Sequence, residues 1–293
     1  MPISNKEKLV KKAAYVSLSA VISMFVIRLY LMIETSSMSV TASLVDSLLD
    51  FVTAGINLFA IYYSQQPPDK QHRFGHGKAE DIAVFAQGLF FGSSGIYIIY
   101  LAMQEFIAQK PIETKSSDII LMIGTIIINL AVVYYQRTVI KKTNSSVIKA
   151  DNLHYLADLL TNLAVISSLI VNFYFKVDFL DKIFGLIIGG YIIFGSYSLL
   201  KKSLNNLMDR ELEDQERNKI TAIIKQSKDV LGFHDLKTRY AGNRVFIQFH
   251  VELDGNIILE KANKISENII KKLSSEFKDA EIIIHQDPFT RHI

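Results

Sequence analysis

The sequence has no cysteine and no tryptophan, and only 5 prolines and 14 glycines in 293 residues. Without cysteine there can be no disulfide, no thiolate metal site and no Cys nucleophile. Any bound transition metal must therefore be held by nitrogen and oxygen donors. Charge is scarce in one region only. Residues 1–208 carry 18 Lys/Arg and 14 Asp/Glu, whereas the last 85 residues carry 14 and 15. A net charge of +3 with scattered basic residues excludes a nucleic-acid-binding class. What is present is a very apolar part, 1–208, followed by a soluble-type part, 209–293.

Six stretches are apolar over about the length a bilayer-crossing helix needs, roughly 20 residues. They are 13–33, 40–63, 82–103, 119–135, 156–175 and 183–200, the fifth with a helical pattern that begins near Val147. The first follows Lys6, Lys8, Lys11 and Lys12 but is too long for a signal-peptide core and has no small-residue cleavage site, so it reads as a retained helix. Orientation follows from the basic residues in the connections. Lys70, Arg73 and Lys78 follow span two, Arg137, Lys141, Lys142 and Lys149 follow span four, and Lys201 and Lys202 follow span six. The other side has only Lys110, Lys115, Lys176 and Lys182. Both termini are expected in the cytoplasm.

The tail reads as a small α/β domain: helix 209–227, strands 233–240 and 244–253 around a turn at Ala241-Gly242-Asn243, helix 259–273 and strand 280–285. An open sheet with helices on one face is expected.

Four ionisable residues inside the spans stand out: Asp46 and Asp50 in span two, His154 and Asp158 in span five. Each pair is spaced i,i+4, which puts both members on one helix face. A carboxylate in hydrocarbon costs roughly 2.5–3.5 kcal/mol even on insertion scales, so two in one span need a repaying partner. Three carboxylates and an imidazole can surround one divalent cation, and four-coordinate N/O ligation suits Zn²⁺, with Fe²⁺, Co²⁺ and Cd²⁺ also admissible. With all four positions taken by protein, no place is left for an activated water, which favours carrying the ion over chemistry on it. Two further groups have ligand character. Asp69, His72 and His76 lie in the connection after span two, and His234, His250, His285 and Asp287 lie at the ends of the expected strands, where they could converge on one edge of the sheet. Arg28 is expected to reach the membrane interface. Gly185, Gly189, Gly190 and Gly195 are expected to allow close helix packing, and Asn57 and Asn162 to bond across helices.

The run SLVDSLLDFVTAGINLFAIYYSQQPPDKQHRFGHGKAE, the later HYLADLLTNLAV, and FHDLKTR, FIQFHVEL and IIIHQDP in the tail resemble the cation diffusion facilitator family, closest to its bacterial ferrous-iron and zinc efflux branch. The resemblance covers about residues 8–288. It implies an α-helical membrane protein of six transmembrane helices with a cytoplasmic αββαβ, metallochaperone-like domain, working as a homodimer in the bacterial inner membrane. It also implies export of Zn²⁺ or another divalent cation in exchange for protons. By position, Asp46, Asp50, His154 and Asp158 would form the transport site, and Asp69, His72 and His76 a loop site. His234, His250, His285 and Asp287 would belong to a binuclear site in the tail, and Lys78 and Asp209 would form a charge interlock. The family's further tail histidine is replaced here by Asn263, a much weaker ligand. A histidine rather than a fourth aspartate at the transport site resembles the zinc and iron branch more than the manganese-type exporters. An intramembrane metal-dependent hydrolase would also use buried Asp and His, but it requires an open coordination position, and no HExxH motif occurs.

Overall fold

The prolines fall at positions 2, 67, 68, 111 and 288, so none interrupts an apolar run, and each run is free to form a continuous helix. The computed structural model describes residues 5–35, 38–108, 116–175, 180–242, 244–278 and 280–289. Six long helices lead: α1 (Asn5–Thr35), α2 (Met38–Ser64), α3 (Lys78–Ala108), α4 (Ser116–Thr143), α5 (Ser146–Phe175) and α6 (Leu180–Leu207). Every helix is longer than its apolar run, because polar and basic residues at the ends continue the helix beyond hydrocarbon depth. Among the described residues, α1, α3, α4, α5 and α6 contain segments long and apolar enough to cross a membrane. The sixth expected span, α2, is helical over 27 residues.

The chain divides into two compact units, Met1–Ser203 and Leu204–Ile293. In the first, buried Val10, Ala13 and Ala14 of α1 pack with Ile61, Val84, Val139, Val147 and Ile148 from α2 to α5. A second cluster joins Val21 and Met24 to Ala54, Val132, Val133 and Tyr155. The third, Phe91, Ala157, Ile188 and Ile192, joins α3, α5 and α6. Glycines set the α3–α6 distance. A Cβ at Gly189 would lie 2.6 Å from Ile99 Cγ1 and 3.0 Å from the Gly95 carbonyl oxygen. Gly195 likewise admits Leu153 of α5, whereas a Cβ at Gly190 would meet nothing within 4 Å among the described residues. The small-residue reading of span six therefore holds at Gly185, where a Cβ would lie 3.1 Å from Ala102 Cβ, and at Gly189 and Gly195, while no neighbour among the described residues requires it at Gly190.

The second unit contains α7 (Asp214–Lys225), β1 (Gly232–Ala241), β2 (Arg244–Leu253), α8 (Leu259–Glu276) and β3 (Glu281–Pro288). β2 is central, antiparallel to β1 and parallel to β3. Alternation along β2 puts Val245, Ile247, Phe249, Val251 and Leu253 on one face, buried against Ile220 and Ile224 of α7 and Ala262, Ile265, Ile269 and Leu273 of α8. The expected first tail helix begins five residues late. Asp209 has φ 57°, and Glu211 and Leu212 are tied to β1: the Leu212 amide donates to Thr238 Oγ1 at 3.1 Å and the Thr238 amide donates to Glu211 Oε2 at 3.0 Å. Those bonds and the burial of Leu212 outweigh helix propensity in this segment.

Candidate metal centres

The i,i+4 spacing of α2 and α5 delivers its expected faces. His154 Nε2 lies 3.1 Å from Asp50 Oδ1 and 3.6 Å from Asp158 Oδ2. One donor atom from each of the three falls within 4.8 Å of the other two. Tetrahedral ligation at about 2.0–2.2 Å sets donors ~3.4 Å apart, which both distances bracket. The Phe91 ring lies parallel to the imidazole, with centroids 5.4 Å apart and planes at 8°. A cavity of about 140 Å³ opens beside the group, lined in part by Ser94, Asp158 and Thr161. Asp46 lies in α2 one turn before Asp50, and its side chain is outside the described residues.

In the α2–α3 connection, Asp69 Oδ1 accepts the backbone N–H groups of Gln71 at 2.8 Å and His72 at 2.6 Å. These bonds, led by the one from His72, hold the Asp69 carboxyl below its ordinary value. Its other oxygen is 3.3 Å from His76 Nε2, and the His72 and His76 rings are 4.7 Å apart. Gly75, at φ 82°, permits the reversal that brings His76 back, since this region suits a residue without Cβ. His76 is buried and packs edge-on against Tyr63, unlike a solvated loop side chain.

In the tail, the expected convergence on a sheet edge is corrected. His234 pairs with His250, and His250 with His285, in direct register across β1, β2 and β3. The three imidazoles thus form a row across the face of β2 opposite its helix-packed residues, because period-2 alternation sends residue 250 away from the core. Asp287 closes the row. Its Oδ2 lies 2.8 Å from His250 Nδ1 and 3.4 Å from His234 Nε2, and its Oδ1 lies 3.2 Å from His285 Nε2. One carboxylate therefore faces three imidazoles, two from Oδ2 and one from Oδ1. The hydrogen bond with His250 holds Asp287 below the usual carboxylate value. Asn263 is exposed, with its amide donating to Glu267 on the same helix at 3.1 Å.

The sequence reading missed two acidic residues. Glu252 Oε1 is 3.0 Å from His234 Nδ1, which leaves Nε2 turned toward Asp287. A carboxylate behind a histidine fixes ring orientation and tautomer in metal sites. Its place two residues after His250, on the same strand face, was the available signal. Asp151 is the other. It is buried in α5, three residues before His154 and on the same face. Arg28 Nη1 donates to Ser47 Oγ of α2. One smaller expectation changes: Asn162 donates to the Asp158 carbonyl of its own helix at 2.8 Å. Asn57 bonds across helices as expected, to Asp151 and Gln87.

The family model for the cation efflux transmembrane domain matches residues 14–208, and that for the cytoplasmic domain of cation efflux proteins matches residues 212–289. Protein p34 of Rickettsia prowazekii is 45% identical over 287 residues, covering 98% of this chain and 95% of its own length. The cation-efflux pump FieF of Shewanella oneidensis is 38% identical over 279 residues, with 95% and 94% covered. Among solved structures, the Zn form of CzrB is 29% identical and covers 28% of this chain and 96% of its own, with a TM-score of 0.27.

Proposed function

Because this chain belongs to the cation diffusion facilitator family, in its FieF-like branch and among multi-pass membrane transporters rather than enzymes, we propose that it exports a divalent cation from the bacterial cytoplasm in exchange for protons. Zn²⁺ or Fe²⁺ is the proposed cargo, with Cd²⁺ and Co²⁺ as chemical alternates. Asp46, Asp50, His154 and Asp158 form the transport site in this reading. The observation that carries it is the meeting of Asp50, His154 and Asp158 donors, from two membrane helices, within 4.8 Å. Metal and protons compete there for the same lone pairs. Facing the cytoplasm, deprotonated carboxylates and neutral His154 bind the cation. Facing outward, protons displace it, and an inward proton gradient drives the cycle. Imidazole suits the exchange because its ordinary pKa, about 6.5, lies near physiological pH.

The remaining assignments belong to the same proposal. Residues 1–208 form the membrane domain and 209–293 a cytoplasmic metal-binding and dimerisation domain, with both termini cytoplasmic in a homodimer in the inner membrane. Asp69, His72 and His76 form a loop site. His234, His250, His285 and Asp287 form a cytoplasmic site whose occupancy biases the subunits toward one arrangement and links export to metal level. Asn263 weakens one of its two positions.

Uptake of Zn²⁺ by reconstituted vesicles, with and without an imposed pH gradient, tests the exchange. Gradient-dependent flux is expected for the wild type and none for Asp50→Ala, which should stay dimeric on size exclusion. Metal/proton exchange retained in Asp50→Ala would defeat the site assignment.

A further inference from the structure

A buried polar assembly that none of the metal groups uses centres on Asp151. Its Oδ2 accepts from Ser17 Oγ of α1 at 2.6 Å and from Gln136 Nε2 of α4 at 2.6 Å, and its Oδ1 accepts from Asn57 Nδ2 of α2 at 3.4 Å. A second layer supports these donors. Gln87 of α3 donates to Asn57 Oδ1, Asn152 donates to Gln136 Oε1 at 3.0 Å, and the Tyr155 hydroxyl donates to the Ser17 carbonyl at 2.9 Å. All of these side chains are buried. Five helices are thereby tied to one carboxylate.

A buried carboxylate is tolerated only when its lone pairs are met, and here both oxygens are. The amide oxygens of Asn57 and Gln136 are likewise engaged, and Gln87 Oε1 alone among these amide oxygens has no hydrogen-bond partner among the described residues, which is too few donors to hold a cation. Its role is better sought in where it grips. Asn57, Gln87, Gln136 and Asp151 all lie in the helix halves adjoining the α2–α3 and α4–α5 connections. Along α5, Asp151, His154 and Asp158 share one face at i, i+3 and i+7, and on α2 Asn57 follows Asp50 by two turns on its face. The Asn57–Asp151 bond is thus the next rung of the α2–α5 ladder whose preceding rung is Asp50–His154. Aspartate and histidine are short, so the 3.1 Å separation of Asp50 and His154 depends on the relative depth and rotation of their two helices.

We propose that Asp151 is a positioning residue of the transport site: by collecting Ser17, Asn57 and Gln136 it sets the α2–α5 register at which Asp50 and His154 share one cation. The inference rests on the transport reading above. Initial rates of Zn²⁺ uptake by proteoliposomes, measured against Zn²⁺ concentration, test it. Asp151→Asn keeps the shape but replaces an accepting oxygen with a donating amide. The apparent KM for Zn²⁺ should rise about 10- to 100-fold, the usual cost of losing outer support for a metal ligand, with Vmax within about threefold of wild type. Gln136→Ala, which removes a donor and leaves the carboxylate, should raise KM in the same direction by a smaller factor. General loosening of the fold would lower Vmax in proportion to surviving protein and leave KM unchanged, which overturns the proposal. If Asp151→Asn does not elute as a folded dimer, Gln136→Ala decides: a raised KM supports the proposal and an unchanged KM overturns it. Asp50→Ala and His154→Ala run alongside. Their loss of uptake together with wild-type KM in the Asp151 and Gln136 variants would overturn this inference alone, whereas retained exchange in them would overturn the transport reading first and this inference with it.

Discussion

Two adjacent glycines in α6 offer a perturbation with its own control. Alanine at either Gly189 or Gly190 gains the same helix propensity, about 1 kcal/mol over glycine, so that contribution cancels when the two variants are compared. Their surroundings differ. At Gly190 a new methyl meets nothing within 4 Å among the described residues. At Gly189 it would stand 2.6 Å from Ile99 Cγ1 and 3.0 Å from the Gly95 carbonyl oxygen, against the 3.4 Å at which ordinary contact begins. The isoleucine can adjust a rotamer, but a helix carbonyl cannot retreat without its backbone, so α3 and α6 must part. Overpacking of this kind costs about 1–3 kcal/mol, and Gly189→Ala should be less stable than Gly190→Ala by that amount. Thermal unfolding of the detergent-solubilised dimer measures it, as a midpoint lower by several degrees. Transport should fall as well, because Phe91, one turn before Gly95 on α3, stacks on His154. Equal midpoints and equal uptake in the two variants would refute the close-approach argument.

The tail supplies two more tests. The Asp287 carboxyl sits below its ordinary value of 3.8 because His250 hydrogen-bonds to it, so its ionised form is favoured in the folded domain. Its contribution to stability is present above that ordinary value and lost as pH falls through the lower folded value. Acid unfolding monitored by circular dichroism should show a loss below about pH 3.8 that Asp287→Asn flattens; identical acid limbs would exclude the contribution. At Gly232, a Cβ would fall 2.3 Å from Glu252 Oε2, and the flexible carboxylate, not the strand, would yield. Gly232→Ala should therefore pull Glu252 off His234 and weaken Zn²⁺ binding to the tail by about tenfold or more, with little change in unfolding midpoint. Calorimetric titration of the full chain reads the first and a thermal melt the second.

The residues of the proposed transport site were legible because helical period alone aligns Asp46 with Asp50 and His154 with Asp158, and because acids within apolar runs are conspicuous. Asp151 was not. It stands beside Lys149 near a helix start, where a charge ordinarily meets water, and only the packing of α1, α2 and α4 around it shows that it is buried. In the tail, alternation assigns His250 and Glu252 to one face of β2, but it does not say that β2 is the middle strand. That order follows from the β1–β2 turn and the parallel return of β3, and it converts three separated histidines into a row across the sheet. The late start of α7 was hidden for a similar reason: its cause is a threonine 26 residues away from Leu212 along the chain.

The Phe91 ring against His154 has a mechanical consequence. The imidazole has one side closed to it by a ring 5.4 Å away. In the proposed transport cycle Asp50 sits on one helix and His154 and Asp158 on another, so sliding or turning either helix would part the donors in a single movement, and release of cargo would be tied to the same displacement that swaps one side of the bilayer for the other.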